Sequence, residues 1–175
     1  MSELDEAWAL ALAEAQRRAH AAGRRDLTEY LTLRAANDLA RTTAIDWLIN
    51  EFTRSAGDAN RIGASIQMST DDAHRFAVGT ATMVGRRLIL SCRVRALSIE
   101  VGWPRTPSHG FIRGGGLARG HIRHRGRKSR DLELTLVQRA KGSPHWMTKD
   151  GSGAAKPLTT STIRAHIERL AGDDY

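Results

Sequence analysis

One cysteine, four prolines and four lysines among 175 residues set the first limits on this chain. A lone thiol, Cys92, cannot form a disulfide within the chain, so the fold must rest on buried surface rather than on cross-links. Its alternation with Leu88, Leu90 and Val94 reads as a buried position on a strand face. No run approaches the ~20 apolar residues that a membrane helix requires, which excludes a spanning helix. The first residues are acidic (Glu3, Asp5, Glu6) where a secretory leader would be positive, so the expectation is a cytoplasmic protein with no membrane partner. Carboxylates are missing from one place in particular: none lies between Val101 and Arg130.

What fills that stretch is arginine and glycine. Arg105, Arg113, Arg119, Arg123, Arg125, Arg127, Lys128 and Arg130 put eight positive charges there, equal to the net charge of +8 for the whole chain. The nineteen other basic residues match the nineteen acidic ones, so the excess is local. Genome base composition can favour arginine over lysine, but it does not explain this clustering.

Hydrophobic periodicity divides the chain into helix, sheet and helix. Spacings near 3.6 predict helices over 3–22 and 27–55, with Ser2 and Asp26 as caps and Gly23 between them. The pair is expected to form an antiparallel hairpin packed on one sheet face through Leu31, Ile45, Ile49 and Phe52. Polar residues crowd between Arg34 and Thr43, yet one long helix ending near Gly57 is the preferred reading. After Asn60 the period becomes 2, the signature of strands. Strands are expected at 62–68, 76–80, 88–94, 97–103, 117–125, 132–136 and 145–148, with turns at Asp71–Asp72 and at Val84–Gly85–Arg86. In the fourth, Leu97, Ile99, Val101 and Trp103 should face inward and Ser98 and Glu100 outward. Thr159 or Thr160 can cap a last helix carrying Ile163, Ile167 and Leu170. The fold class is therefore α+β: one domain over 1–175, comprising a helical hairpin (1–57), an antiparallel meander of six or seven strands (60–149) and a C-terminal helix (159–172). Consecutive strands leave no room for the crossover helices of a parallel sheet.

Gly114, Gly115 and Gly116 invite a nucleotide-binding reading that fails on position. The third glycine of a dinucleotide fingerprint would fall at Arg119, no helix follows, and the Gly-Lys-Ser/Thr ending of a phosphate loop is missing. A bend or bulge at the strand entry is the expectation. His121 and His124 are three apart, which on a strand sends them to opposite faces, so no metal and no cofactor is expected there.

The favoured function is a non-enzymatic module that binds DNA, RNA or another polyanion through residues 105–130. Arg119, His121, Arg123, Arg125 and Arg127 would form a positive stripe on one face of an extended segment. His109, His121, Trp103 and Phe111 are auxiliary candidates, and Trp103, Phe111 and Trp146 offer stacking surfaces wherever they are exposed. Position on helices or at a strand end makes Trp8, Trp47 and Trp103 core residues first. A charged edge that deters sheet aggregation would look the same in sequence. Two alternatives belong to other classes: an interaction protein whose helical hairpin docks a partner or a second copy, and a histidine-dependent phosphodiester enzyme. Glu100 is the only carboxylate close enough in sequence to pair with a histidine of the basic stretch.

Overall fold

The computed structural model describes residues 13–138 and 142–172. Trp8 and the start of the first expected helix lie outside them. Contacts divide the chain into two units, residues 1–40 and 41–175. In the first, residues 13–21 are helical (α1) and Gly23 turns the chain at φ +69° into α2, Arg25–Arg61. Arg24 N donates to Ala19 O across this turn, the closure expected of a glycine-ended helix. Leu27, Tyr30, Leu33 and Leu39 are exposed on this part of α2. Leu31 is half-buried and belongs to no core cluster, so it does not serve as the anchor that periodicity suggested.

α2 runs without a break to Arg61, past Gly57. The chain leaves the helix at Gly63, φ +102°, and Asn60 locks the exit by pairing with both backbone groups of Ile66. From there a seven-stranded antiparallel sheet runs in sequence order: β1 Gln67–Val78, β2 Ala81–Cys92, β3 Arg95–Trp103, β4 Ala118–His124, β5 Leu132–Val137, β6 His145–Lys149 and β7 Ala155–Pro157. Helix α3, Thr160–Ala171, follows, with the Thr159 side chain accepting from Thr162 N at 3.2 Å. The α+β class, the meander and the C-terminal helix are those read from periodicity.

Two expected turns are strand interior. Asp71 and Asp72 lie inside β1, where a bulge between Asp71 and His74 absorbs the extra length. Arg86 on β2 donates to Asp72 and to Asp46, and Arg87 lies 3.8 Å from Asp71, so paired charge replaces the solvent that a turn would offer. Gly85 lies within β2, directly opposite Gly102 on β3. A Cβ on Gly85 would lie 2.0 Å from Val101 O, so the two strands approach too closely there for any side chain. The β1–β2 turn is instead at Gly79, φ +59°. Val94 faces solvent because β2 ends at Cys92 and Val94 sits in the next turn. β7 escaped the sequence reading because three exposed residues ending in proline carry no alternation.

Alternation along the central strands separates two faces. Leu88, Leu90, Leu97, Ile99, Val101, Ile122, Leu134 and Leu136 form one, and α2 and α3 cover it with Ile45, Leu48, Ile49, Phe52, Ile163, Ile167 and Leu170. Trp146 is buried in the same core and its Nε1 donates to Ala44 O at 3.0 Å. Trp47, by contrast, is exposed rather than core. Among the described residues no helix is long and apolar enough to cross a membrane.

Ile49 is only 3% exposed beneath the sheet. Ile49→Ala is therefore expected to cost about 2–5 kcal/mol in chemical denaturation, the range for an aliphatic side chain removed from a packed interior. A loss under about 1 kcal/mol would place it outside the core.

Candidate functional site

The basic stretch does not form one stripe. Its residues separate into three places because β4 ends at His124 and the chain turns at once.

The first place is the loop after β3. Arg105 stacks over the Trp103 ring at 3.5 Å, with Arg41 at 5.6 Å from the same ring. Trp103 is thus a buried ring flanked by cations rather than a stacking platform. His109 Nδ1 accepts from the Arg105 backbone N–H at 3.2 Å and holds the loop together. Phe111 is 78% exposed further along it. Gly114, Gly115 and Gly116 all have positive φ, so the three glycines make the bend expected of them.

The second place is the sheet face opposite the helices. Arg119, His121 and Arg123 share it with Glu100, which pairs directly across from His121. Glu100 is only 7% exposed, so an outward strand position is here a buried one. Three side chains meet it: His121 Nδ1 at 3.1 Å and Arg123 Nη1 at 2.5 Å from Oε1, and His74 Nε2 at 3.0 Å from Oε2. Burial alone would raise the Glu100 pKa. The hydrogen bonds from His121 and His74 and the Arg123 charge outweigh it and hold the carboxyl down at about 2. Phe76 stacks on His74 with ring centres 5.7 Å apart and meets His121 edge-on at 6.0 Å. Beside this cluster, a hollow of about 210 Å³ is lined by Val78, Met83, Phe111, Ile112, Arg113 and Arg119, among others. Arg119 reaches across to donate to Arg113 O at 2.7 Å.

The third place is the end of the sheet where β2 turns into β3 and β4 into β5. In a meander, alternate connections lie at the same end, so these two turns are neighbours. Arg125 N donates to Ala96 O across them. Arg125, Arg127 and Arg130 from one turn, Arg95 from the other and Arg169 from α3 line a single depression with no carboxylate in its wall. At about 20 Å³ it encloses nothing larger than a water, so it is a convergence of guanidinium groups at a surface. Lys128 is exposed on the same turn. Asp131, just after the same turn, accepts from His124 N at 3.0 Å and closes it. Arg95 Nη1 donates to Arg169 O at 3.2 Å, placing positive charge where the α3 dipole is negative.

Sequence reasoning missed Arg95, Arg169 and His74 as members of these clusters. They lie 26 or more residues from their partners in the chain, and only strand pairing and the packing of α3 bring them together. His121 and His124 face opposite sides, as their spacing requires. Among the described residues, no group of three or more His, Cys, Asp or Glu side chains is placed to hold a metal ion.

His124 points into the core, where its Nε2 meets His166 Nδ1 at 2.7 Å. His166 Nε2 is buried without a hydrogen-bond partner. Burial, followed by the neighbouring His124 and Arg169, pushes the His166 pKa down to about 4. Burial and the Arg130 and Arg169 charges lower His124 as well. Both rings are therefore neutral in the folded protein at pH 7, whereas the unfolded chain takes up protons near pH 6.5. The contribution is complete above about pH 6.5 and is lost as pH falls from there through about 4, up to about 3 kcal/mol for His166. Glu100 adds a separate loss only below pH 4.5, towards about 2. Denaturation midpoints measured from pH 7.5 to 4 should show the first fall, and His166→Leu should remove most of it. A flat profile in the parent protein would contradict the buried, neutral pair. No family model matches this chain, and neither a curated protein nor a solved structure shows significant similarity to it.

Proposed function

We propose that the protein binds phosphate-bearing polyanions, nucleic acid foremost, through the arginine-rich turn end of its sheet. The observation that carries this reading is the meeting of Arg95, Arg125, Arg127, Arg130 and Arg169 around one depression whose wall holds no carboxylate. Guanidinium groups present N–H donors in pairs that match phosphate oxygens, and five of them at one surface draw in a polyanion. The shallow surface suits a backbone passing across it rather than a small molecule enclosed by it. Contacts of this kind position a polyanion without reading its sequence, so selectivity among sequences should be weak. Arg105, Arg113, Arg119 and Arg123 lie elsewhere and do not belong to this surface.

A second reading rests on the exposed Leu27, Tyr30, Leu33 and Leu39 of α2. Such side chains on one helix suit docking to a protein partner or to a second copy.

The test is salt dependence. If roughly four to six phosphates of a duplex are contacted, log affinity should fall against log salt with a slope of about −4 to −5. Replacing Arg125, Arg127 and Lys128 together with alanine should reduce that slope by up to about 3 and leave the melting temperature unchanged. Replacing Arg17, Arg18 and Arg24 on the first unit should change it little. If the parent protein fails to bind DNA and RNA at low salt, or if both triple variants lose affinity equally, docking through α2 takes its place.

A further inference from the structure

The cluster on the opposite sheet face has parts that the polyanion surface does not use. Two groups meet His121 Nδ1, the Glu100 carboxylate at 3.1 Å and Arg123 Nη2 at 3.3 Å; the ionised carboxylate is the nearer and can only accept, whereas Arg123 already donates to Glu100, so a protonated Nδ1 donates to Glu100. Without that proton, a lone pair would face a carboxylate at 3.1 Å. Nδ1 therefore carries the ring proton and Nε2 is the basic nitrogen. Among the described residues His121 Nε2 makes no hydrogen bond and is not one of the buried unpaired atoms, so it meets solvent. His74 differs: its Nε2 is on Glu100 and its Nδ1 lies 3.6 Å from Asp71, so both nitrogens face carboxylates. It steadies Glu100 from the other side and has no nitrogen to spare.

Arg119 and Arg123 lie two residues to either side of His121 on the same strand face. Arg123 uses Nη1 for Glu100 and is half exposed, while Arg119 uses Nη2 for Arg113 O. Arg123 Nη2 also stands 3.3 Å from His121 Nδ1, and both guanidinium groups keep further N–H donors that phosphate oxygens can accept from. The hollow beside Arg119, walled by Val78, Met83 and Phe111, has room for one planar ring. A basic nitrogen oriented by a carboxylate, two guanidinium groups and an apolar hollow are what a nucleotide unit of RNA needs beside its phosphodiester.

We propose that His121, oriented by Glu100, is the general base of a site that cleaves RNA. His121 Nε2 takes the proton of the ribose 2′-hydroxyl, O2′ bonds to phosphorus, and the bond from phosphorus to O5′ breaks. The leaving 5′-oxygen takes a proton from water and the imidazolium returns its own to the hydroxide formed. The products are a 2′,3′-cyclic phosphate and a 5′-hydroxyl, and nothing is oxidised or reduced. RNA is favoured over DNA because its nucleophile is already attached next to the phosphorus and needs only a base. Arg119 and Arg123 stabilise the charge that builds on the non-bridging oxygens.

This shares with the previous reading only that RNA is the ligand, and does not depend on the arginine-rich turn. The experiment accordingly uses the full-length protein, with chelator present, on the dinucleotides UpA and CpA, which are too short to span both surfaces. The expected result is a cyclic-phosphate product identified by mass, with no cleavage of the 2′-O-methyl or deoxy analogues. His121→Asn keeps a donor to Glu100 but no basic nitrogen, and should lower the rate about 100-fold or more at unchanged melting temperature. Glu100→Gln should lower the rate, and adding it to His121→Asn should lower the rate no further, because a carboxylate that acts through His121 then has nothing to orient. A merely structural role would lower the rate of the His121 variant again. Replacing Arg17, Arg18 and Arg24 should leave dinucleotide cleavage unchanged, and His121→Asn should keep the salt-sensitive binding of a duplex, so loss of binding and loss of cleavage report on different surfaces. The proposal is overturned if the parent protein cleaves neither dinucleotide, if His121→Asn cleaves as fast as the parent, or if the deoxy analogue is cleaved equally.

Discussion

Strict alternation along β3 and β4 is the constraint on which the rest of this structure depends. Leu97, Ile99, Val101 and Ile122 point to one side and must be covered, so α2 and α3 lie there. The residues between them have no choice but the other side. Glu100, His121 and Arg123 are consequently gathered on a face that an isolated strand would leave to water, and β1 buries their common carboxylate by adding His74 and Phe76. A shift of one residue in either strand would exchange the two sets and leave a carboxylate in the hydrocarbon core.

Charge is distributed by the same geometry. Glu100 stands just before the carboxylate-free stretch, and as a buried anion it holds two histidines and Arg123. Beyond His124 the strand ends, and Arg125, Arg127 and Arg130 meet Arg95 and Arg169 around a depression lined by no carboxylate, while Asp131 accepts from His124 N. One face therefore has positive charge gathered around a buried anion, and the sheet end has guanidinium groups gathered around a shallow depression. The first is the basis of the proposed proton transfer, the second of the proposed attraction of a polyanion.

The two histidine environments follow the same logic. His121 sits beside an ionised carboxylate with one nitrogen in solvent, and His166 lies in the core against His124 and Phe52. The core pair is held neutral by burial, which makes it a cost of acidification rather than a reagent.

Sequence by itself determined the element order, the antiparallel meander, the inward set of β3 and the opposition of His121 to His124. All of these follow from local period, and period survives in a linear chain. It also located the excess charge and singled out Glu100, just before it, as a carboxylate that could pair with a histidine of that stretch. It misplaced the turns at Asp71–Asp72 and Val84–Arg86, because a bulge and an opposed glycine pair look like turns until the partner strand is known. Only the tertiary structure decided that Arg125 and Arg127 leave the stripe, that Arg95 and Arg169 join them, and that His74 completes the Glu100 cluster. The physical reason is that register and chain reversal, not proximity in sequence, set which side chains meet across a sheet.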